Sequence, residues 1–210
     1  MKPQGPDLPA PEPDVYRSMG LCALLQDMRE DCRYSILDLG PALGTNVAFW
    51  SRFQCKLYFE DFYSGLLEER PQALEEESWD EPLLGRILPL PPGTEFDVVL
   101  CWDLLNYLKQ DHLQALIGYL TRFCRSGTSV FAMLWLTPEI PERPMRFRIL
   151  DSEHMAYERE SAATKPGSGY QPRDIGKLMH EFHAASSFLL RHGVQEYLFT
   201  YNGQESAGCP

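Results

Sequence analysis

One stretch constrains this chain more than any other: Ser35-Ile36-Leu37-Asp38-Leu39-Gly40-Pro41-Ala42-Leu43-Gly44-Thr45-Asn46. Residues 36–39 form an apolar run of strand length that breaks at Gly40, and a helix-like pattern follows over residues 46–53. Strand, tight glycine turn and helix, in that order, let backbone N–H groups approach a ligand with no Cβ in the way. Glycine turns after strands are common, so the rest of the chain has to decide the function.

Strand and helix patterns alternate behind the turn, which predicts one α/β domain with a mostly parallel sheet over residues 15–202. Met19, Cys22, Leu25 and Met28 recur at helical spacing and predict a leading helix over residues 15–31. Residues 55–61 read as the second strand and end in Glu60 and Asp61. A carboxylate there, roughly twenty residues past a glycine turn, suits a pair of ribose hydroxyls. Alternation points the two acids opposite ways, so one is expected to bind and the other to face solvent.

Residues 62–81 predict an acidic helix whose Glu68, Glu69, Glu75, Glu76 and Glu77 are solvated, and residues 84–90 a short third strand. Residues 96–100 form a buried strand. Cys101, Trp102 and Asp103 fall at its carboxyl end, beside the switch point where open α/β sheets bind ligands. Core packing is the competing role for Trp102. A helix over residues 111–124 is expected to stop at Ser126-Gly127-Thr128, before a fifth strand over residues 129–136. Pro172 suits the first turn of a helix over residues 171–183, and strands over 186–191 and 195–201 make a closing antiparallel hairpin.

Charge narrows the partners. With 30 acidic and 19 basic side chains the net charge is −11, which disfavours a protein built to grip a nucleic-acid backbone. The mean hydropathy of −0.31 is that of a globular chain. No apolar run has membrane-spanning length and the first residues lack a signal-peptide core, so no membrane role and a cytoplasmic setting are expected. The six cysteines include no C-x-x-C pair, which favours reduced thiols. Residues 1–14, with five prolines, read as a flexible arm, and residues 203–210 as a flexible tail. His180 and His183, three apart on the expected helix, have no third ligand, so no metal is expected.

The spacing Asp38-x-Gly40-x-Ala42-x-Gly44 resembles the acidic-x-Gly-x-Gly-x-Gly loop of class I S-adenosylmethionine-dependent methyltransferases, with Ala42 where the family has its middle glycine. The segment over residues 88–108, with Leu88-Pro89-Leu90 leading into Phe96-Asp97-Val98-Val99, also resembles a family segment. The resemblance covers residues 15–202 and implies a Rossmann-like three-layer αβα sandwich, with a mostly parallel seven-stranded sheet and a C-terminal antiparallel hairpin. It implies S-adenosyl-L-methionine as cofactor. Gly40, Ala42 and Gly44 would pass close to its methionine part, Asp38 would support the loop, and backbone around Cys101 and Trp102 would flank the sulfonium or adenine. Glu60 or Asp61 would hold the ribose, with spacing favouring Glu60.

No acid closes the expected third strand; Asp80 is the nearest. The family shapes its acceptor pocket from residues after the fifth strand. There His154 is the candidate general base, and Arg143, Arg146, Arg148 and Arg159 could orient an anion; His112, on the helix before that strand, is a second candidate base. No Asn/Asp-Pro-Pro-aromatic motif follows the fourth strand, which disfavours exocyclic-amine methylation. The expected acceptor is a small molecule. The alternatives are an inactive binding or scaffolding module of the same fold, favoured by Pro41, Ala42 and the missing acid, and, less well supported, a dinucleotide-dependent oxidoreductase.

Overall fold

The computed structural model describes residues 14–167, 169–170, 172–190 and 193–203. Most of the expected arm and tail, and Cys209, lie outside them, as do Gln171, Arg191 and His192 at the edges of expected elements. Asp14, placed in the arm by the sequence, opens a strand.

In chain order the elements are β1 Asp14–Arg17, α1 Met19–Gln26, β2 Arg33–Asp38, α2 Gly44–Trp50, β3 Gln54–Phe59, α3 Phe62–Glu69 and α4 Glu81–Ile87. These are followed by β4 Phe96–Trp102, α5 Gln110–Leu120, β5 Cys124–Trp135, β6 Glu139–Pro141, β7 Arg146–Ile149, β8 His154–Glu158 and β9 Thr164–Pro166. The last three are α6 Pro172–Leu178, β10 Phe182–Leu189 and β11 Val194–Tyr201.

The main sheet runs β10-β11-β5-β4-β2-β3. β3, β2, β4 and β5 pair in parallel, and β11 and β10 add the antiparallel hairpin. β4 sits near the middle with all but one residue buried, as a strand covered on both faces must be. Phe96, Leu100, Phe131, Phe199, Ile36 and Leu37 are among its fully buried side chains. The architecture is the Rossmann-like α/β fold that the sequence implied, with six strands in place of seven.

The missing strand has a local cause. Residues 84–90 fall largely in α4, because Asp80 caps that helix by accepting from the Leu83 N–H at 2.9 Å and Pro82 stands in its first turn. Leu83, Leu84 and Ile87 then share a buried side. Asp80 is therefore a helix cap, and β3 becomes the sheet edge. The acidic helix is shorter than expected, since α3 ends at Glu69. Gly127 continues inside β5 rather than stopping before it, and α6 ends at Leu178, so His183 lies on β10 and shares no helix with His180.

The leading helix is also shorter than residues 15–31. Residues 14–17 are a strand, paired to β8 in a second, three-stranded antiparallel sheet, β1-β8-β7. Ser18 ends that strand and caps α1 through the Leu21 N–H. Among the described residues no helix is long and apolar enough to cross a membrane, no group of His, Cys, Asp or Glu could hold a metal, and five cysteines are free thiols.

Candidate functional site

The glycine turn is fixed between two strand ends. The Leu39 N–H donates to the Leu100 carbonyl at 3.0 Å, the Leu39 carbonyl accepts from the Phe62 N–H, and the Glu60 N–H donates to the Asp38 carbonyl. Asp38 turns its side chain back on the loop, where Oδ1 accepts from the Gly40 N–H at 2.9 Å. The same Oδ1 accepts from the indole N–H of Trp102 at 2.5 Å. Its other oxygen, Oδ2, is buried with no hydrogen-bond partner among the described residues.

Burial pushes the Asp38 carboxyl up to about 6, against the pull of Trp102, Gly40 and the nearby Asn46 amide, which makes no hydrogen bond of good geometry to Oδ2. Asn46, the first buried residue of α2, lies close by. Its amide bonds reach out to the second sheet: Nδ2 donates to the Phe147 carbonyl at 3.0 Å and Oδ1 accepts from the Ile149 N–H at 2.9 Å. One side chain thus pins β7 over the turn.

Trp102 ends β4 with φ at 49°, the one positive φ of a non-glycine residue among the described ones. The pairing of β4 with β5 slips between Leu100 and Trp102, and such a bulge re-aims the side chain that follows it. The indole stacks on Phe147 with centroids 5.5 Å apart and 6° between planes, and meets Phe131 edge-on at 5.9 Å. It also lies on Gly40. A Cβ there would stand 2.9 Å from the indole Cδ1.

Next to Trp102, Asp103 is fully buried. Its Oδ2 accepts from the Met145 N–H at 3.2 Å and from the Trp135 indole at 3.5 Å, and Oδ1 has no partner among the described residues. Burial raises this carboxyl to about 7. Asn106 fixes the exit of β4 by donating to the Asp103 and Met133 carbonyls and accepting from the Trp135 N–H. Sequence reasoning placed Asp103 at the strand end without assigning it a part. Its signal was an acid directly after an apolar central strand.

These groups border a cavity of about 100 Å³ at the carboxyl ends of β2 and β4. Of the residues expected at the cofactor, Gly40, Asp61, Cys101 and Trp102 line it, and Asp38 lies directly beneath. Asp61 lines the cavity while capping α3 through the Ser64 N–H, whereas Glu60, half-buried, is outside the lining. Cys101 is buried, and burial raises its thiol pKa. Ala42 and Gly44 are exposed and stand apart, with open space where a Gly44 Cβ would be.

His154 is outside the lining, its ring held 3.1 Å from the Asp151 carboxylate in the turn before β8. His112 is a core residue stacked on Trp79 at 4.2 Å. Arg143 and Arg146 reach the cavity rim; Arg146 pairs with Glu160, Arg148 pairs with Glu158, and Arg159 lies over Trp135.

The sequence matches no protein-family model and no curated protein. The structure is similar to an S-adenosylmethionine-dependent methyltransferase from Clostridium acetobutylicum ATCC 824, with a TM-score of 0.52 at 12% identity over 88% of this chain and 92% of that one. It is also similar to the 1,6-didemethyltoxoflavin-N1-methyltransferase of Burkholderia thailandensis, solved with 1,6-didemethyltoxoflavin and S-adenosylhomocysteine bound. There the TM-score is 0.50 at 13% identity, over 87% of this chain and 76% of that one. The chain has the class I S-adenosylmethionine-dependent methyltransferase fold. Against the group that fold implies, the donor set fits in kind: a turn with no Cβ at Gly40 and carboxylates with unbonded oxygens. The space does not fit, because the indole fills the cradle at Gly40 and about 100 Å³ remains, where small-molecule sites span roughly 300–1,000 Å³.

Proposed function

We propose that the protein binds S-adenosylmethionine and transfers its methyl group to a small-molecule acceptor, from a conformation more open than the one described. The observation that carries this reading is the meeting of the Gly40 turn with Asp38 and Asp103, two buried carboxylates that each keep one oxygen unbonded. Buried polar atoms without partners are few in folded proteins and call for an explanation.

Bound S-adenosylmethionine supplies an electrophilic methyl group. The chain's own tasks are then alignment and exclusion of water. On the turn side, Asp38 and Asp61 offer acceptors for ligand N–H and O–H groups. On the other side, Asp103 borders the cavity, and its buried, unbonded Oδ1 would hold an amine or take a proton from an acceptor once the site opens. Arg143, exposed on the rim, suits an anionic substituent. The net charge of −11 and the narrow cavity favour a small acceptor over a nucleic acid, and the five free thiols suit a reducing, cytoplasmic setting.

One observation favours a second reading, the inert binding module: the indole stands where the turn would meet a ligand. Calorimetric titration of the wild-type protein and of Trp102→Ala with S-adenosylmethionine and S-adenosylhomocysteine separates the two. Micromolar binding by either protein supports the methyltransferase reading. Silence of both at millimolar ligand overturns it in favour of the inert module.

A further inference from the structure

We propose that Trp102 is a displaceable plug: its indole sits in the ligand's place on the Gly40 turn and leaves when S-adenosylmethionine enters. This rests on the methyltransferase reading and adds how the site is opened.

Three observations point the same way. The first is the backbone: φ of 49° at a tryptophan, next to a bulge, is a conformation bulky residues avoid. Such strain persists where the surroundings impose it, and here they do so with one hydrogen bond and two ring contacts.

The second is what the indole touches. Only a residue without a Cβ permits the 2.9 Å approach at Gly40, so the plug uses the close approach that the turn offers to a ligand. Its N–H donates to the Asp38 oxygen that also receives the Gly40 N–H, the acceptor to which a ligand's ammonium group would donate. A neutral indole answers that carboxylate incompletely, since Oδ2 has no hydrogen bond of good geometry, with only the Asn46 amide nearby. A cation would bind the same carboxylate more strongly.

The third is what holds the plug. Its stacking partner Phe147 belongs to β7, which is not part of the main sheet and is fastened across the turn by Asn46. Moving β7 removes the face on which the indole stacks without breaking the main sheet. The plug and its cover therefore open together.

A state closed nine-tenths of the time or more lowers apparent affinity at least tenfold, because only the open fraction binds. The test compares wild type, Trp102→Phe and Trp102→Ala by calorimetric titration with S-adenosylmethionine. It also follows the Trp102 indole N–H of the wild type by NMR, assigned by its loss in Trp102→Phe, as S-adenosylhomocysteine is added.

The expected result is at least tenfold tighter binding by Trp102→Ala, an intermediate affinity for Trp102→Phe, and an indole signal that moves on ligand addition. Equal or weaker binding by Trp102→Ala, or a wild-type signal that stays in place while ligand binds, would sink the plug and leave the methyltransferase reading standing. Absence of binding in all three proteins defeats that reading and the plug with it. Should Trp102→Ala fail to fold, Trp102→Phe and the wild-type indole signal decide by the same criteria.

Discussion

Asp38 and Asp103 stand at the ends of neighbouring parallel strands, both buried, both with one oxygen bonded and one not. They differ in their donors. Asp38 receives short bonds of 2.9 and 2.5 Å from the Gly40 N–H and the Trp102 indole. Asp103 receives longer ones, 3.2 and 3.5 Å, from Met145 and Trp135. Burial raises both carboxyls, to about 6 at Asp38 and about 7 at Asp103. In both, burial is the larger influence and hydrogen bonding to the charged form opposes it. The Asp38 corner offers its carboxyl the closer donors, and the Asp103 corner the longer ones; both carboxyls titrate nearer neutrality than a solvated one.

The sharpest way to break this comparison is to remove each carboxyl. Asp38→Ala leaves two short-range donors buried without an acceptor and is expected to cost about 2–4 kcal/mol, or roughly 5–15 °C in melting temperature. Asp103→Ala should cost about half as much. Thermal melts at pH 5, where both wild-type carboxyls are largely protonated, would show it, and equal losses would mean that bond length does not distinguish the corners.

Gly40→Ala comes next. Its Cβ would meet the indole at 2.9 Å, and the expected cost is about 1–3 kcal/mol. Gly44→Ala, pointing into open space at the start of α2, should be neutral or stabilise by about 0.5 kcal/mol. If chemical denaturation finds both substitutions neutral, the indole does not rest on the turn.

Titration sharpens the comparison further. A carboxyl whose folded pKa lies above its unfolded value takes up a proton on folding. The stability it contributes is fully present below about pH 4 and is lost as pH rises through the folded pKa. For Asp38, which also faces the charge of Asp61, the loss centres on pH 4 to about 6; for Asp103, beside Tyr107, on pH 4 to about 7. Asp103→Asn should therefore match wild type near pH 4 and exceed it by about 1–2 kcal/mol at pH 8. An advantage at pH 4 that vanishes at pH 8 would reverse the sign and refute the assignment.

The smallest expected effect concerns the acids after β3. Asp61→Ala removes the cap of α3, at about 1 kcal/mol, and should also weaken S-adenosylmethionine binding because Asp61 lines the cavity. Glu60→Ala should stay within about 0.5 kcal/mol and leave binding unchanged. A titration in which Glu60→Ala is the weaker binder would assign the ribose to Glu60, as spacing favoured.

Much of the fold was legible because its signals are local. The apolar run ending at Asp38, the break at Gly40 and the strand led in by Phe96 each lie within a few residues, and the backbone follows them. The expected third strand is the exception, although its correction is also local: Asp80 and Pro82 mark a helix start, and an apolar run of that length fits either element. The second sheet was not legible. β1 and β8 are 137 residues apart where Arg17 pairs with His154, and strands of four or five residues carry too little periodicity to announce a partner.

The sequence by itself determined the α/β order, the Asp38–Gly40 turn and the acids after the second strand, since each arises from neighbours along the chain. Only the tertiary structure decided what those features face. It bonded Trp102 to Asp38 across 64 residues and set Phe147 on Trp102. It also put Asp61 rather than Glu60 at the cavity and left Asp103 buried beside it. Such outcomes depend on close approach and burial, quantities set by chain segments distant in sequence, so no local pattern records them.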